Sequence, residues 1–312
     1  MTASDKTVSI IMNAGRVFTE KYLRLMFKSL RDATPNEVME ELEHCRRENR
    51  RPVRVPRYFR GYFTEEKFNA STGFEMQVFR HKEGSRKLIL YLHGGAFIYP
   101  PVFFHWRFLH DLALRTHCDA LLPVYPKSPE YVCEYSVQTL LEYYKTISDS
   151  NRYDEIHLVG DSAGACLCLV IAQEAHKNGW QKPTTTTLLS PCVDLSHTKE
   201  AAMRALQDKD SMLQLDRVIT LNAIWQADLP AQHPWVSPVF GDFSGVDNLY
   251  VYYGSDEILQ PDDLFLKETY KKAGKTGQFH EYEGMFHTFA MFPIPDGFKA
   301  VKMMADGINN PR

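Results

Sequence analysis

The sequence lacks the features that would assign it to a membrane, a secretory pathway or a nucleic acid. No stretch approaches the roughly 18 consecutive apolar residues of a transmembrane helix. Residues 1–6 show no apolar core of a secretion signal behind a basic start. The formal net charge is only −3, from 36 basic and 39 acidic residues, so we expect neither a nucleic-acid partner nor an anionic membrane surface. These absences favour an ordinary globular protein of the cytoplasm.

Cysteines are few and lack the paired spacing of a zinc site or a disulfide framework. Cys166 and Cys168 fall in an apolar stretch, where small packing residues are the simplest interpretation. Reduced thiols agree with a cytoplasmic protein, and no metal is predicted. The six are Cys45, Cys118, Cys133, Cys166, Cys168 and Cys192.

Short apolar stretches alternate with helical ones through most of the chain. Such alternation predicts crossover units, and therefore an α/β fold with a mostly parallel central sheet flanked by helices. Two antiparallel strands are expected first. The predicted strands cover residues 59–66, 74–80, 88–92, 120–124, 156–159, 186–189, 249–253 and 278–282.

Two regions depart from this alternation. Residues 8–50 have helical periodicity, and Thr34 and Pro35 are typical of an N-cap followed by a first helical position. Residues 196–238 are too long for a simple connection. We therefore predict a helical cap from an N-terminal region (1–56) and an inserted segment (196–238), over a core of residues 57–195 and 239–312.

Gly160-Asp161-Ser162-Ala163-Gly164 lies between a predicted strand and a predicted helix. Gly-x-Ser-x-Gly in that context is the nucleophile elbow, a turn so sharp that side chains at both glycine positions would collide with their neighbours. Ser162 would stand at a helix N-terminus, which favours developing negative charge. The pattern therefore predicts Ser162 as a nucleophile.

A serine nucleophile needs a base, and the base needs a carboxylate. His287 follows the last predicted strand, where a loop reaches the carboxyl edge of the sheet. Asp256 follows the strand before it, and we predict that it orients His287. The rival carboxylates are Glu257, its neighbour, and the pair Asp262 and Asp263, which suit helix capping better.

The loop His93-Gly94-Gly95-Ala96 follows the third predicted strand. Loops at that position supply backbone N–H groups to a developing oxyanion. We expect the amides of Gly95 and Ala96, with that of Ala163, to form the oxyanion hole.

Several motifs in order resemble the hormone-sensitive-lipase-like family of esterases, over roughly residues 75–292. Besides the elbow and the glycine loop, they are Tyr125-Pro-Lys-Ser-Pro-Glu130, Ser190-Pro191-Cys192-Val193-Asp194-Leu195, Ser237-Pro238 through Gly245, and Gly254-Ser-Asp-Glu-Ile-Leu259. The resemblance implies an α/β-hydrolase fold with a helical cap and a carboxylic-ester hydrolase acting through an acyl-enzyme, with no metal or organic cofactor. Two positions depart from the family pattern, since Ala96 replaces a glycine and Lys127 an apolar residue.

Aromatic and sulfur-containing side chains near these motifs suggest an apolar pocket for small acyl groups of short to medium length. An amidase, a peptidase or an arylformamidase would use the same triad, and a ligand-binding homologue is a further alternative. A small-molecule ester is the expected partner, and a homodimer stands as an alternative to a monomer. The candidate pocket residues are Phe97, Tyr99, Trp225, Trp235 and Met285.

Overall fold

The computed structural model describes residues 35–51, 53, 55–69 and 75–311. The strands in this part are β1 (Phe63–Asn69), β2 (Glu75–His81), β3 (Lys87–Leu92), β4 (Asp119–Pro123), β5 (Glu155–Asp161), β6 (Thr185–Leu189), β7 (Leu249–Gly254) and β8 (Gln278–Tyr282). They form one sheet in the order β1-β2-β4-β3-β5-β6-β7-β8. β1 and β2 pair antiparallel, as do β2 and β4, and all other neighbours pair parallel. The predicted mostly parallel α/β sheet is confirmed.

Helices fill most of the connections between strands. They are α1 (Pro35–Asn49), α2 (Phe59–Tyr62), α3 (Phe103–Thr116), α4 (Cys133–Asp149), α5 (Ala163–Lys177), α6 (Glu200–Leu206), α7 (Leu215–Gln226), α8 (Gln260–Lys272) and α9 (Pro295–Asn309). α6 and α7 both lie in the segment between β6 and β7. None of these described helices is both long and apolar enough to cross a lipid bilayer.

The sheet separates two apolar cores, because successive side chains of a strand point to opposite faces. On β3, Leu88, Leu90 and Leu92 join the core that contains α4, α5 and α8. Ile89 and Tyr91 join the core that contains α3 and α9. All five side chains are buried, so the central strands read as continuous apolar runs.

The structure corrects one predicted boundary. Residues 59–62 form the helical turn α2 rather than the start of β1. Phe59 and Phe63 are buried, and their rings pack against each other at a centroid distance of 5.6 Å. The predicted start of a helix at Pro35 is confirmed, whereas the earlier part of the N-terminal helical pattern and the proposed cap residue Thr34 lie outside the described residues.

All six cysteines are free and buried, and Cys166 and Cys168 pack in the core of α5 as predicted.

Candidate active site

The elbow holds Ser162 at the junction of β5 and α5, with φ 51° and ψ −121°. A Cβ atom on Gly160 would lie 2.6 Å from the carbonyl oxygen of Gly164, and one on Gly164 would lie 1.9 Å from that of Leu92. Neither backbone atom can move out of the way cheaply, so both positions require glycine. The same contact packs the start of α5 against the end of β3, where the glycine loop begins.

Hydrogen bonds fix the backbone of the elbow to the end of β6. The Ser162 N–H donates to the Leu189 carbonyl at 2.9 Å, and the Ser162 carbonyl accepts from the Cys192 N–H at 3.2 Å. Ser190, the residue after Leu189, accepts a hydrogen bond through its hydroxyl from the Thr288 N–H at 2.9 Å. The elbow and the loop that carries His287 are therefore bonded to adjacent residues at the same edge of the sheet.

Glu257, and not Asp256, contacts the predicted base. His287 Nδ1 lies 2.6 Å from Glu257 Oε2, and both side chains are buried. The other carboxylate oxygen, Oε1, accepts from the Gly254 N–H at 2.8 Å. Both oxygens of Glu257 are therefore bonded inside the turn that follows β7.

The prediction that Asp256 orients His287 is wrong. Asp256 is half-buried, and its carboxylate accepts from the Ser255 hydroxyl at 3.1 Å. Its N–H donates to the Met285 carbonyl at 3.1 Å, so the backbone rather than the side chain of this residue contacts the histidine loop. The tight turn after β7 directs the next side chain inward, and glutamate has the length to reach the imidazole.

Charge around His287 favours its protonated form. Burial acts to lower the pKa of His287, but the hydrogen bond and negative charge of Glu257, together with the charges of Asp210 and Asp161, outweigh it and raise the pKa. An imidazolium formed by proton transfer would therefore be stabilised at this position.

Asp210, in the inserted segment, is a buried carboxylate that the sequence did not single out. One of its oxygens accepts from the Ile258 N–H at 2.8 Å, and the other accepts from the N–H groups of Met212 and Leu213. Asp210 thus connects the inserted segment to the turn that holds Glu257. An acidic residue in a charged stretch gives no sequence signal for such a role.

The glycine loop has a backbone conformation that ordinary residues avoid. The φ angles are 117° at Gly95, 51° at Ala96 and 60° at Phe97. Left-handed φ at Ala96 explains why the family pattern has glycine there, since a Cβ atom destabilises this conformation. Ala163, the third predicted donor, is the first residue of α5, where the N–H groups have no partner within the helix.

Asp161, the residue before the nucleophile, anchors this loop. Its Oδ1 accepts from the Gly94 N–H at 2.9 Å and from the Tyr91 hydroxyl, and a Cβ atom on Gly94 would lie 2.3 Å from its Oδ2. Burial acts to raise the pKa of Asp161, but His105, Tyr91 and the Gly94 amide lower it overall. In the sequence, the one signal for this anchoring role of Asp161 was an acidic residue among the small and apolar residues of the turn.

The predicted pocket residues have different surroundings. Phe97 and Trp225 are fully buried and stack on each other, 4.2 Å apart and nearly parallel. Met285 is buried against the end of β7, its carbonyl facing Gly254. Tyr99 contacts α1 and α7 through its hydroxyl.

Trp235 differs from the other predicted pocket residues in its hydrogen-bond partner, and its place in the pocket stays a prediction. Its indole N–H donates to Glu174 at 2.9 Å, near the far end of α5. Twelve helical residues separate Glu174 from Ser162, or about 18 Å. The Trp235 indole therefore packs on the C-terminal half of α5, the helix that follows the elbow.

Among the described side chains, one group of potential metal ligands, His81, Glu83 and His117, lies outside this site.

Comparisons with known proteins identify the family of the chain. A family model described as the alpha/beta hydrolase fold matches residues 89–291. An esterase from Acinetobacter venetianus is 28% identical over 238 residues, covering 75% of this chain and 78% of the relative. An acetyl-hydrolase from Streptomyces hygroscopicus is 27% identical over 226 residues, covering 70% and 73%.

Solved structures show the same fold. A crystal structure from Staphylococcus aureus superposes with a TM-score of 0.82 at 27% identity, over 89% of this chain and 94% of that one. An esterase of the bacterial hormone-sensitive lipase family superposes with a TM-score of 0.73 at 22% identity, over 89% and 98%. The resemblance predicted from the motifs is confirmed, and the chain belongs to the Abhydrolase_3 family of the α/β hydrolase fold.

Proposed function

We propose that the chain hydrolyses carboxylic esters, with Ser162 as nucleophile, His287 as general base and Glu257 as the carboxylate that orients it. The observation that carries this proposal is the buried 2.6 Å contact between His287 Nδ1 and Glu257, at the sheet edge that also holds the strained Ser162. Esterase and acetyl-hydrolase relatives of similar length support the same reaction class.

In the proposed reaction, His287 takes the proton of the Ser162 hydroxyl as the oxygen attacks the ester carbonyl. Glu257 holds the imidazole in the tautomer with the proton on Nδ1 and stabilises the imidazolium that forms. His287 then protonates the leaving alcohol, and an acyl-enzyme remains on Ser162. Water, activated by the same histidine, releases the acid and restores the serine.

The developing oxyanion would be stabilised by the amides of Gly95, Ala96 and Ala163. Asp161 supports this assignment, because it bonds the Gly94 amide and so fixes the loop relative to the elbow. A preorganised donor loop does not have to reorganise as charge develops.

We further propose that α1 and the inserted segment (196–238) form a cap and that the substrate carries a small apolar acyl group of short to medium length. An apolar cluster joins α1, the glycine loop and α7. The acetyl-hydrolase relative is consistent with a short acyl group. The cluster contains Leu42, Cys45, Ile98 and Leu221, with Ala96, Tyr99 and Ile224 packed against it.

The test is a chain-length series of nitrophenyl esters with the wild type and the Ser162→Ala variant. We expect the variant to fold normally and to lose turnover by at least about 10³-fold, since a residual rate from oxyanion binding is all that remains. Ser244→Ala, at an exposed serine, is the matched control and should keep wild-type rates. Wild-type turnover by Ser162→Ala would refute the assignment of the nucleophile. A nitroanilide series in parallel separates esterase from amidase activity.

A further inference from the structure

Two histidines and a glutamate meet at the end of the sheet opposite to Ser162. His81 is the last residue of β2, Glu83 lies in the turn before β3, and His117 ends α3 with φ 54°. The ring centroids of His81 and His117 are 5.1 Å apart, and His117 Nδ1 lies 3.9 Å from Glu83 Oε2. One ligand atom from each residue lies within 4.8 Å of the other two.

This spacing is close to that of a zinc centre. Zinc bonds to histidine nitrogen and carboxylate oxygen are about 2.0–2.2 Å long, so ligand atoms in a tetrahedral site lie about 3.4 Å apart. The Glu83 carboxylate and the His117 ring would have to approach by about 0.5 Å, and the widest ligand pair by at most about 1.4 Å. Both of these side chains are exposed. Two imidazoles and one carboxylate leave a fourth position for water.

The third ligand is held in place by the fold. The His81 N–H donates to Asp119 Oδ1 at 2.7 Å, and its ring packs edge-on against Phe63. The Glu83 N–H donates to His81 Nδ1 at 3.3 Å, which is long for a hydrogen bond and easily exchanged for a metal bond. A buried, oriented histidine beside two exposed ligands gives a partly preformed site.

Neighbouring groups do not offer a competing thiolate. Cys118 follows His117, but its side chain is buried in the core that contains α3 and α9. Imidazole nitrogen selects zinc and its transition-metal neighbours over magnesium and calcium, which prefer oxygen alone.

We propose that His81, Glu83 and His117 bind a zinc ion that has no part in catalysis. The ion would link the turn before β3 to the C-terminal end of α3. β3 and β4 both start at this end of the sheet. Ser162 and Glu257 lie at the other end, just after β5 and β7. A strand of six residues is about 20 Å long, so the ion would be remote from the reacting ester. Its effect should be on stability.

The experiment is calorimetric titration of the chelator-treated full chain with ZnCl₂ near pH 7.5, together with thermal unfolding. We expect the wild type to bind zinc with one site and a raised Tm. His117→Asn should weaken zinc binding at least about tenfold. Removing a residue that only hydrogen-bonds to a metal ligand already weakens metal affinity by about that factor, and His117 is itself a proposed ligand. Glu83→Gln should also weaken zinc binding. In both variants the rise in Tm on adding zinc should be smaller than in the wild type. His44→Asn, at an exposed histidine of α1, is the matched control and should bind as the wild type does.

His117 is 71% exposed, so its replacement should not impair folding even where His81→Asn does. Unchanged zinc affinity in His117→Asn, or no binding by the wild type, would overturn the proposal. Ester turnover is the second readout, and occupancy of this site should leave it unchanged. Zinc binding that persists in His117→Asn and inhibits turnover would place the ion at His287 and equally refute the site. The zinc-binding and unfolding outcomes do not depend on whether the proposed ester chemistry is right.

Discussion

Ser162 has a backbone conformation that L-residues rarely adopt, and such strain costs about 1–3 kcal/mol. In this conformation both backbone groups of Ser162 are hydrogen-bonded, because its N–H donates to Leu189 at the end of β6 and its carbonyl accepts from the Cys192 N–H. The sharp turn separates the serine side chain from both the strand and the helix. Local strain is therefore coupled to the exposure of the proposed nucleophile.

The choice between adjacent carboxylates is testable at the scale of a single residue. Glu257→Gln keeps the shape of the side chain but removes the charge and the acceptor that selects the His287 tautomer. We expect kcat to fall by about 10³–10⁴-fold, as for the loss of a triad carboxylate. Asp256→Asn is the matched control, and it should change kcat by less than about threefold because its carboxylate is bonded to the Ser255 hydroxyl and not to His287. Both are measured with the same nitrophenyl ester at saturation.

The pH profile of the same variants gives an independent readout. The base must be neutral to accept a proton, so kcat/KM rises with pH through the pKa of His287. Because that pKa is raised, the acidic limb of the wild type should lie above the ordinary histidine value of about 6.5. Glu257→Gln should move the limb to lower pH, and Asp256→Asn should leave it in place. The reverse pattern would return the role to Asp256.

At this scale the sequence could indicate the proposed nucleophile Ser162 and the proposed base His287, but not the carboxylate that contacts His287. Position after a strand is the same for Asp256 and Glu257, and the direction of each side chain depends on the turn, which is set by the close approach of Gly254 to the Met285 carbonyl. Asp161 and Asp210 were missed for a similar reason, since their partners come from distant parts of the chain.

At the scale of elements, α5 depends on the glycine in its first turn. We expect Gly164→Ala to destabilise the protein by about 3 kcal/mol and to abolish turnover, because its Cβ would overlap the Leu92 carbonyl. Gly179→Ala, just beyond the other end of α5, is the control. Gly179 has φ 68° with open space around it, so its replacement should cost only about 1 kcal/mol. Urea unfolding measures both, and equal losses would contradict the packing argument.

Elements were predictable where one pattern dominates. Seven of the eight strands lie within about two residues of their predictions, because apolar runs between turn residues are distinctive. β1 was misplaced because Phe59 and Phe63 share a face both in a strand and across one helical turn.

At the scale of the whole molecule, a buried polar network joins three distant parts of the chain. Glu41 of α1 pairs with Arg217 of α7, and the Tyr99 hydroxyl bonds both of them. The Ile98 and Tyr99 N–H groups donate to the Gly95 carbonyl, so this network adjoins the donor loop. The proposed cap is thus connected to the core through a charged pair that is mostly shielded from solvent. The Arg217 side chain is 9% exposed and the Glu41 side chain is 20% exposed.

A double-mutant cycle tests whether this pair acts as one unit. Arg217→Met leaves the Glu41 carboxylate with only Tyr99, and Glu41→Gln leaves a mostly buried guanidinium without a counter-charge. Each should destabilise the protein by about 2 kcal/mol, less than a fully buried pair because some solvent remains. The double variant should cost less than the two singles together, by about 1–2 kcal/mol, since neither change then leaves an unpaired charge.

The control cycle uses an exposed ion pair that joins α6 to α7. Arg204 and Asp216 are 49% and 63% exposed, so their coupling should stay below about 0.5 kcal/mol. Urea unfolding gives both coupling energies under the same conditions. Additive effects in the Glu41–Arg217 cycle would show that the pair contributes as two independent groups. The connection between cap and core would then depend on the apolar contacts of Leu42, Ile98 and Leu221 instead.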